Sequence, residues 1–252
     1  MVALKIGVIS DIHSNLAALE AVLNALNSAK VDVTWSLGDL VGYAAQVNET
    51  IKLLRSLKIL YVHVAGNHDL GAVSLISRQD FNPDGQVALN YTEKVLNREN
   101  HQFLTSLPKT FQPLPEVLLV HGCPRDPIWE YLLTIEQAES CFHYFNQNIC
   151  FFGHTHLPVM YSLNLAHKQV KKVVPQAGVS YSLNIAAERY LINPGSVGQP
   201  RDGNPQASYC LFDLKSLTVS WQRVSYDIKR TQAAIKQAGL PLMLASRLTF
   251  GL

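Results

Sequence analysis

Five short motifs in the first 156 residues combine aspartate, asparagine and histidine. They read Asp11-Ile12-His13, Gly38-Asp39, Gly66-Asn67-His68-Asp69, His121-Gly122 and Gly153-His154-Thr155-His156. Polar and charged side chains of this kind are costly to bury unless they are paired or hold a metal. Imidazole, carboxylate and amide oxygen suit manganese, iron, zinc or nickel, and thiolate is not part of the set. Seven such donors exceed what one ion with an open position takes, so we expect two ions that share a carboxylate.

Each motif directly follows an apolar run that is typical of a buried β-strand. The predicted strands span residues 4–9, 31–37, 59–64, 117–120 and 149–152. They alternate with segments whose apolar residues have helical spacing, at 15–26, 49–57 and 135–145. This alternation favours a mostly parallel sheet with helices on its faces. Because such sheets bind ligands at the carboxyl ends of their strands, the five motifs should meet at one rim.

The segments between and after these motifs complete the expected fold. Residues 70–107 carry few strand signals and are interpreted as a helical insertion, followed by a proline-rich turn at 111–115. From residue 158 onward, short β-type runs are divided by Gly, Pro and Asn, which favours antiparallel strands. A helix is expected over 227–238. We expect one domain over residues 1–252, of class α/β: a four-layer-type sandwich with two facing mixed β-sheets flanked by helices.

Composition and charge narrow the range of partners. Apolar residues make up 48% of the chain and charged residues 16%, which is typical of a packed globular protein. A net charge of +2 is too small to indicate a nucleic-acid partner. The densest basic cluster, Lys168, Lys171 and Lys172, is interpreted as a solvated hairpin. A nucleic-acid partner is therefore not expected.

The N-terminal residues and the cysteines suggest a location. The N-terminus lacks the layout of a signal peptide, and no apolar run approaches the roughly 18 residues of a membrane-spanning helix. The four cysteines lack paired spacing, which suits a reducing compartment: Cys123, Cys141, Cys150 and Cys210. We therefore expect a cytoplasmic protein without a membrane partner. Cys123 follows His121-Gly122, but it is interpreted as a bystander of the metal site.

In this order, the five motifs resemble the pattern of the calcineurin-like metallophosphoesterase superfamily. The stretches Gly38-Asp39-Leu40-Val41-Gly42-Tyr43 and Asn193-Pro194-Gly195-Ser196-Val197-Gly198-Gln199-Pro200-Arg201 are similar to a small bacterial and archaeal phosphodiesterase-like subgroup. The segment Ala44-Ala45-Gln46-Val47 departs from the Gly-Pro-rich turn usual there. The resemblance implies that one ion is held by Asp11, His13 and His156, the other by Asn67, His121 and His154, and that Asp39 bridges both.

The resemblance also implies hydrolysis of phosphate esters by a hydroxide that two metal ions activate. His68 would face the substrate and protonate the leaving group, which requires a partly protonated imidazole near neutral pH, and Asp69 would orient its ring. Arg201 is a candidate for gripping a phosphate oxygen, or else a surface residue of a turn. Asn15 is a candidate substrate contact or else a helix N-cap.

The expected activity is therefore hydrolysis of a small phosphate ester or nucleotide, as a phosphodiesterase or phosphomonoesterase. One alternative is a non-catalytic binding scaffold on the same fold, but such scaffolds lose motif residues that are all present here. Another is a nuclease, for which a basic groove is missing from the sequence pattern. The apolar segment 242–250 is expected to pack on the domain or on a partner subunit of a homo-oligomer.

Overall fold

The computed structural model describes residues 4–57 and 60–252. Within these residues the β-strands are, in chain order, β1 (Lys5–Ile9), β2 (Val33–Ser36), β3 (Leu60–His63), β4 (Thr110–Leu114), β5 (Val117–Val120), β6 (Ile149–Phe151), β7 (Val159–Asn164), β8 (Val170–Val173), β9 (Ser180–Ser182), β10 (Glu188–Asn193), β11 (Ala207–Asp213) and β12 (Thr218–Val224). The expected third strand was placed from Ile59, which lies outside the described residues, as do residues 1–3 of the N-terminus that was searched for a signal peptide.

The helices lie mainly between the parallel strands and at the end of the chain. They are α1 (Leu16–Ser28), α2 (Val47–Arg55), α3 (Asn67–Ala72), α4 (Pro83–Val95), α5 (Arg98–Thr105), α6 (Ile135–Cys141), α7 (Ile228–Gln237) and α8 (Leu242–Ser246), with 3₁₀ turns at Arg78–Asp80 and Arg247–Thr249. Among the described residues, no helix has the length and apolar character needed to cross a bilayer.

The strands form two mixed sheets. The first has the order β3-β2-β1-β11-β12-β9 and the second the order β4-β5-β6-β10-β7-β8. Strands β1, β2 and β3 run parallel to one another, as do β5, β6 and β10, whereas the remaining pairings are antiparallel. The expected α/β sandwich of two facing mixed sheets flanked by helices is confirmed. The carboxyl ends of the parallel strands β1, β2, β3, β5 and β6 lead into the five sequence motifs.

An apolar core fills the space between the two sheets. Trp35 of the first sheet lies 5.9 Å from Phe151 of the second, and Phe212 lies 5.5 Å from Phe151, measured between ring centroids. All three side chains are almost completely buried. Separate apolar clusters pack α1 and α2 against the first sheet and α6 against the second. Burial on both faces explains why the parallel strands β1, β5 and β6 are nearly continuous apolar runs, whereas β8 and β9 carry exposed polar residues.

Two elements differ from the sequence-based expectation. The proline-rich segment 111–115 is not only a turn, because β4 (Thr110–Leu114) pairs antiparallel with β5 and has a register shift between Phe111 and Leu114. Pro113 is tolerated there because β4 is an edge strand, where a missing N–H costs no ladder hydrogen bond. The motif Gly66-Asn67-His68-Asp69 is not a loop: Gly66 is the N-cap of α3, and the following three residues form its first turn.

The apolar C-terminal segment packs on the rest of the chain, as one version of the expectation required. Leu244, Ala245 and Leu248 are buried and contact a cluster that includes Tyr43 and Ile235. Its other large apolar side chains, Leu242, Met243 and Phe250, are exposed. The segment therefore buries one apolar side against the domain, while three large apolar side chains remain on its exposed side.

Candidate metal centre

The structure brings the predicted ligands to one buried rim. Asp11 and His13 follow β1, and Asp39 follows β2. Asn67 begins α3, His121 follows β5, and His154 and His156 follow β6. Each of these side chains is at most 3% exposed. The first sheet and the second sheet therefore both contribute donors to a single site.

Five of these ligands have an unusual backbone conformation. The φ angles of Asp11, His13, Asp39, His154 and His156 are positive, between 51° and 66°. Non-glycine residues rarely adopt this left-handed region, which costs roughly 1–2 kcal/mol per residue. Backbone strain of this kind is concentrated at functional sites, where it directs side chains that a relaxed chain would turn elsewhere.

Glycines next to the ligands allow the backbone segments to approach closely. A Cβ on Gly66 would lie 2.1 Å from Asp39 Oδ1, and a Cβ on Gly153 would lie 2.9 Å from Asp11 Oδ2. No larger residue fits at either position without moving a ligand. These contacts explain why glycine precedes Asn67 and His154 in the motifs.

The ligand atoms fall into two groups around Asp39. In the first group, Asp11 Oδ1 lies 3.2 Å from His156 Nε2, which lies 3.1 Å from His13 Nε2. In the second group, His121 Nε2 lies 3.1 Å from both Asn67 Oδ1 and His154 Nδ1. Asp39 Oδ2 stands between the groups, 3.6 Å from His13 Nε2 and 3.4 Å from His121 Nε2.

Backbone carbonyls fix the orientation of all four ligand imidazoles. The second ring nitrogen of each histidine donates to a carbonyl oxygen: His13 to Val41, His121 to Leu37, His154 to Trp129 and His156 to Gln199. A ring that donates through one nitrogen in its neutral form offers a lone pair at the other. Such outer hydrogen bonds fix the tautomer and orientation of metal-binding histidines.

The donor set fits divalent ions on physical grounds. With the tautomers above, His13 Nε2 and His156 Nε2 direct lone pairs at each other over 3.1 Å. Facing lone pairs repel unless a cation or proton lies among them. The buried Asp11 Oδ1 also accepts no hydrogen bond in the described part of the chain. All of these atoms belong to groups whose members lie within 4.8 Å of one another.

The electrostatics of the rim favour charged carboxylates and neutral imidazoles. Burial disfavours the ionised carboxyl of Asp11, but His156 and His121 outweigh it and hold the pKa of Asp11 below its usual range. The pKa of Asp39 is likewise lowered, by His121 and His68 against the effect of burial. Burial lowers the pKa of His154 to about 3. His121 is the exception, because Asp39 overcomes burial and raises the pKa of His121 to about 9.

The segment 193–199 forms hydrogen bonds with the loops after β1 and β6, which carry candidate metal ligands. Asn193 Nδ2 donates to Gly153 O over 2.7 Å, and Ser196 Oγ donates to Asp11 O over 2.8 Å. Gly198 N also donates to Asp11 O, and Gln199 O accepts from His156. This segment therefore links the loop after β1 to the loop after β6. Its sequence motif is explained by these contacts.

His68 faces the open side of the centre. Its ring lies 4.4 Å from the ring of Tyr43 and 5.0 Å from that of Phe81, and its Nδ1 has no hydrogen-bond partner among the described residues. Burial lowers the pKa of His68 to about 4, and the nearby Asp39 only partly offsets this. Desolvation thus favours the neutral imidazole, and the expected partial protonation near neutral pH requires a negative charge beside the ring.

Asp69 does not orient His68, which corrects the expected role. Its Oδ1 accepts from the backbone N–H groups of Leu40 and Val41, over 2.8 and 3.1 Å, and its Oδ2 accepts from Gly66 N over 3.0 Å. The carboxylate thus ties the loop after β2 to the start of α3. Burial and Asp39 raise the pKa of Asp69 to about 7, while the backbone donors act in the opposite direction.

The two candidate substrate contacts have different surroundings. Arg201 lines the pocket over the metal centre, and Gln199 Oε1 accepts from its Nη2 over 2.8 Å. Asn15 is buried and is the N-cap of α1, accepting from Ala18 N over 3.2 Å while its Nδ2 donates to Gly198 O. The contacts of Asn15 are therefore those of the N-cap alternative.

Four aromatic residues of the pocket were not singled out from the sequence. They are Tyr43, Phe81, Trp129 and Tyr131. The polar pocket residues Asp80 and Asn82 were not singled out either. Among these residues, only Tyr43 had a sequence signal that could have identified it, because it closes the stretch that begins with Gly38-Asp39. The others come from the helical insertion and the loop after β5, which have no recognisable motif. Cys123 points away from the pocket, donating to Glu130 Oε2 over 2.7 Å, beside Cys141.

Comparison with known proteins identifies relatives of the whole chain. A family model for the calcineurin-like phosphoesterase superfamily domain matches residues 4–217. An uncharacterized protein from Methanocaldococcus jannaschii is 41% identical over 257 residues, covering 100% of both chains.

Solved structures show the same architecture. The crystal structure of a metallophosphoesterase from Sphaerobacter thermophilus is 41% identical, covers 99% of this chain and 100% of its own, and superimposes with a TM-score of 0.85. A hypothetical protein from Pyrococcus horikoshii is 19% identical, with 99% coverage of each chain and a TM-score of 0.81, and shows the shared fold alone.

Proposed function

Because this chain belongs to the calcineurin-like phosphoesterase superfamily, we propose that it hydrolyses small phosphate monoesters or diesters at a dinuclear metal centre. The observation that carries the proposal is the arrangement of the four ligand histidines, each of which donates to a backbone carbonyl and directs its other nitrogen into the site. Histidines with a purely structural role do not require their second ring nitrogens to point to one common place. A preorganised donor set is what metal catalysis requires.

We assign one ion to Asp11, His13 and His156, and the other to Asn67, His121 and His154. Asp39 Oδ2 is the shared donor, because it stands between the two groups while Asp39 Oδ1 accepts from His68 N over 2.8 Å. When bound, two divalent ions supply an activated water nucleophile and neutralise the phosphoryl oxygens. Nitrogen and oxygen donors without thiolate favour manganese, iron, zinc or nickel.

His68 is assigned to the leaving group. Its imidazole is neutral in this environment, with a pKa of about 4. A phosphate anion placed beside the ring favours the protonated form and therefore raises this pKa, since an opposite charge at close range stabilises the cation. With substrate bound, His68 would take up a proton from solvent and pass it to the departing alkoxide.

Arg201 is assigned to the phosphate. Its guanidinium is held by Gln199 Oε1 through Nε and Nη2, over 3.3 and 2.8 Å, and lies 5.8 Å from the centre of the Tyr43 ring. The remaining N–H groups of the guanidinium, next to the Tyr131 hydroxyl, are the candidates for donating to a phosphoryl oxygen. A guanidinium that is already oriented loses less conformational freedom when substrate binds.

The test is a substrate screen with controlled metal content. The purified protein is stripped with a chelator, reloaded separately with manganese, iron, zinc or nickel, and assayed on p-nitrophenyl phosphate and bis(p-nitrophenyl) phosphate. Hydrolysis should disappear on stripping and return on reloading with two ions per chain. Activity that persists after verified metal removal would refute the proposal, and absence of hydrolysis with every metal would favour a binding scaffold.

A further inference from the structure

The mouth of the metal pocket is bordered by an aromatic wall formed by Phe81, Trp129 and Tyr131. Tyr131 stacks on the ligand His154, with ring centroids 4.0 Å apart and an angle of 24° between the planes. One face of the Tyr131 ring is therefore occupied, yet the side chain is 44% exposed. Because His154 covers one face, the exposed surface that borders the pocket belongs to the other face and to the ring edge, whose hydroxyl interacts with Arg201.

The wall continues from Tyr131 to the leaving-group histidine. Trp129 is fixed by its carbonyl oxygen, which accepts from His154 Nε2 over 3.1 Å. Its ring lies edge-to-face against Phe81 at 4.9 Å, and Phe81 lies 5.0 Å from His68. Aromatic surface thus spans the distance from a metal ligand to the group assigned to the departing alcohol.

The polar residues at the mouth of the metal pocket indicate which further chemical groups the released alcohol carries. Asp80 and Asn82 line the same pocket and are exposed. Asn82 Oδ1 already accepts from Gly85 N over 2.8 Å, and its Nδ2 donates to the Tyr43 hydroxyl over 3.4 Å, so one N–H of the amide remains to donate to a hydroxyl group. The carboxylate of Asp80 can accept from a hydroxyl group and repels a second anion. Among the described residues that line the pocket, Arg201 is the one arginine or lysine, and we assign it to the phosphate undergoing reaction.

We infer that the alcohol released at this site is a nucleoside, whose base stacks on the open face of Tyr131 next to Trp129 and whose sugar hydroxyl groups face Asp80 and Asn82. The inference rests on the proposed phosphoesterase function and adds its substrate class. A base is recognised through its π-face, which every nucleobase offers, so this wall selects nucleoside esters without selecting one base.

The size of the effect follows from base stacking. Removal of one stacking aromatic side chain weakens nucleic-acid binding enough to change an equilibrium constant by about 5- to 100-fold. The wall is held in place by His154 before substrate arrives, so little of this gain is lost in ordering the rings. Preference for a base-bearing ester should therefore be of that size.

The experiment compares substrates that differ only in the base. Adenosine 5′-phosphate is matched with ribose 5-phosphate, and the methyl ester of each supplies the diester pair. Both members of a pair release the same kind of primary alkoxide, so leaving-group basicity cancels. The kcat/KM ratio within each pair is measured with metal-loaded protein, and calorimetry with the corresponding phosphonates gives affinity without turnover.

Three variants separate stacking from general damage to the site. Tyr131→Ala should reduce the preference for the base-bearing ester to about 1, and Tyr131→Phe should retain it. Tyr144→Ala is the matched control, because Tyr144 is 56% exposed and is not among the residues that line this pocket. The ratio within a pair is insensitive to partial metal loss, which affects both substrates equally.

The outcomes distinguish this inference from the function on which it rests. A base-bearing preference of about 5- to 100-fold that Tyr131→Ala abolishes supports the inference. Hydrolysis of p-nitrophenyl esters with equal kcat/KM for both members of each pair, or equal loss for both in Tyr131→Ala, overturns the inference and leaves the proposed function intact. No hydrolysis of any ester with any metal overturns both.

Discussion

The metal rim and the inter-sheet core are both buried, but the rim consists of polar and charged side chains and the core of apolar ones. We define the rim as Asp11, His13, Asp39, Asn67, His68, Asp69, His121, His154 and His156, and the core as the apolar cluster around Trp35, Phe151 and Phe212. The core consists of regular strands whose side chains are apolar. The rim consists of loops and a helix start in which five φ angles are positive.

The two regions contribute to the stability of the fold with opposite signs. Burying a large apolar side chain contributes roughly 1.5–3 kcal/mol, whereas each left-handed residue costs about 1–2 kcal/mol. Like charges add to that cost, since Asp39 raises the pKa of Asp69. The core therefore offsets the strain of the rim, and substitutions in the two regions should change different measurements.

The largest effect is expected for Asp39→Asn. The variant loses a charged donor to both ions, and metal coordination contributes several kcal/mol to the transition state, so kcat/KM should fall by about 10⁴-fold or more. The metal content should fall below two ions per chain. The free energy of unfolding of the chelated protein should fall by about 3 kcal/mol near pH 7, because the variant loses the ion pair with the protonated His121. A loss much larger than that of the ion pair would contradict the separation between rim and core.

His68→Ala should lower kcat by roughly 10² to 10⁴, the usual contribution of a general acid. Both ions should remain bound, as elemental analysis can check. An ester with a good leaving group such as nitrophenol should lose less activity than an alkyl ester, because a weakly basic oxygen needs little protonation. Equal losses for both esters would instead indicate that His68 only positions the substrate.

The matching core substitution is Phe212→Ala. Phe212 is fully buried and lies 5.5 Å from Phe151, so truncation should lower the free energy of unfolding by about 3–5 kcal/mol. Denaturant titration measures this. At a temperature where the variant is folded, its metal content and kcat/KM should match the unchanged protein. Selective loss of metal would show that the core also positions the rim.

The pH dependence of stability tests the one rim imidazole that is charged. The pKa of His121 is about 9 in the fold and about 6.5 when unfolded. A raised folded pKa contributes stability that is complete below about pH 6.5 and is lost as pH rises to about 9, on the order of 3 kcal/mol. In chelated protein, unfolding free energy should therefore fall more steeply between pH 7 and 9 than in His121→Gln. Parallel curves would refute the ion pair with Asp39.

The smallest effect is expected for Asp69→Asn. An amide group can replace only part of a carboxylate that accepts from three backbone N–H groups. One buried donor is left without a partner, which should lower the free energy of unfolding by about 1–3 kcal/mol. The leaving-group selectivity should not change, because Asp69 does not contact the His68 ring. A changed selectivity would restore Asp69 to the orienting role.

Much of the fold could be predicted because local pattern and global position agree. Strands β11 and β12 lie within one residue of the β-type runs that the sequence shows at 208–213 and 218–224. Asp227 caps α7 by accepting from Arg230 N. Alternating turn signals fix such boundaries locally. The edge strand β4 was missed because Pro113 is read as a turn residue unless the sheet edge beside it is known.

The sequence by itself determined which donors are present and that they follow strand ends, because motif spacing and apolar periodicity are properties of adjacent residues. Only the tertiary structure decided which carbonyl oxygen each histidine meets, that Asp69 binds backbone rather than His68, and that Phe81, Trp129 and Tyr131 form one wall. These contacts join segments far apart in the chain. Their geometry depends on how both sheets and the helical insertion pack together. A local sequence pattern carries no information about that packing.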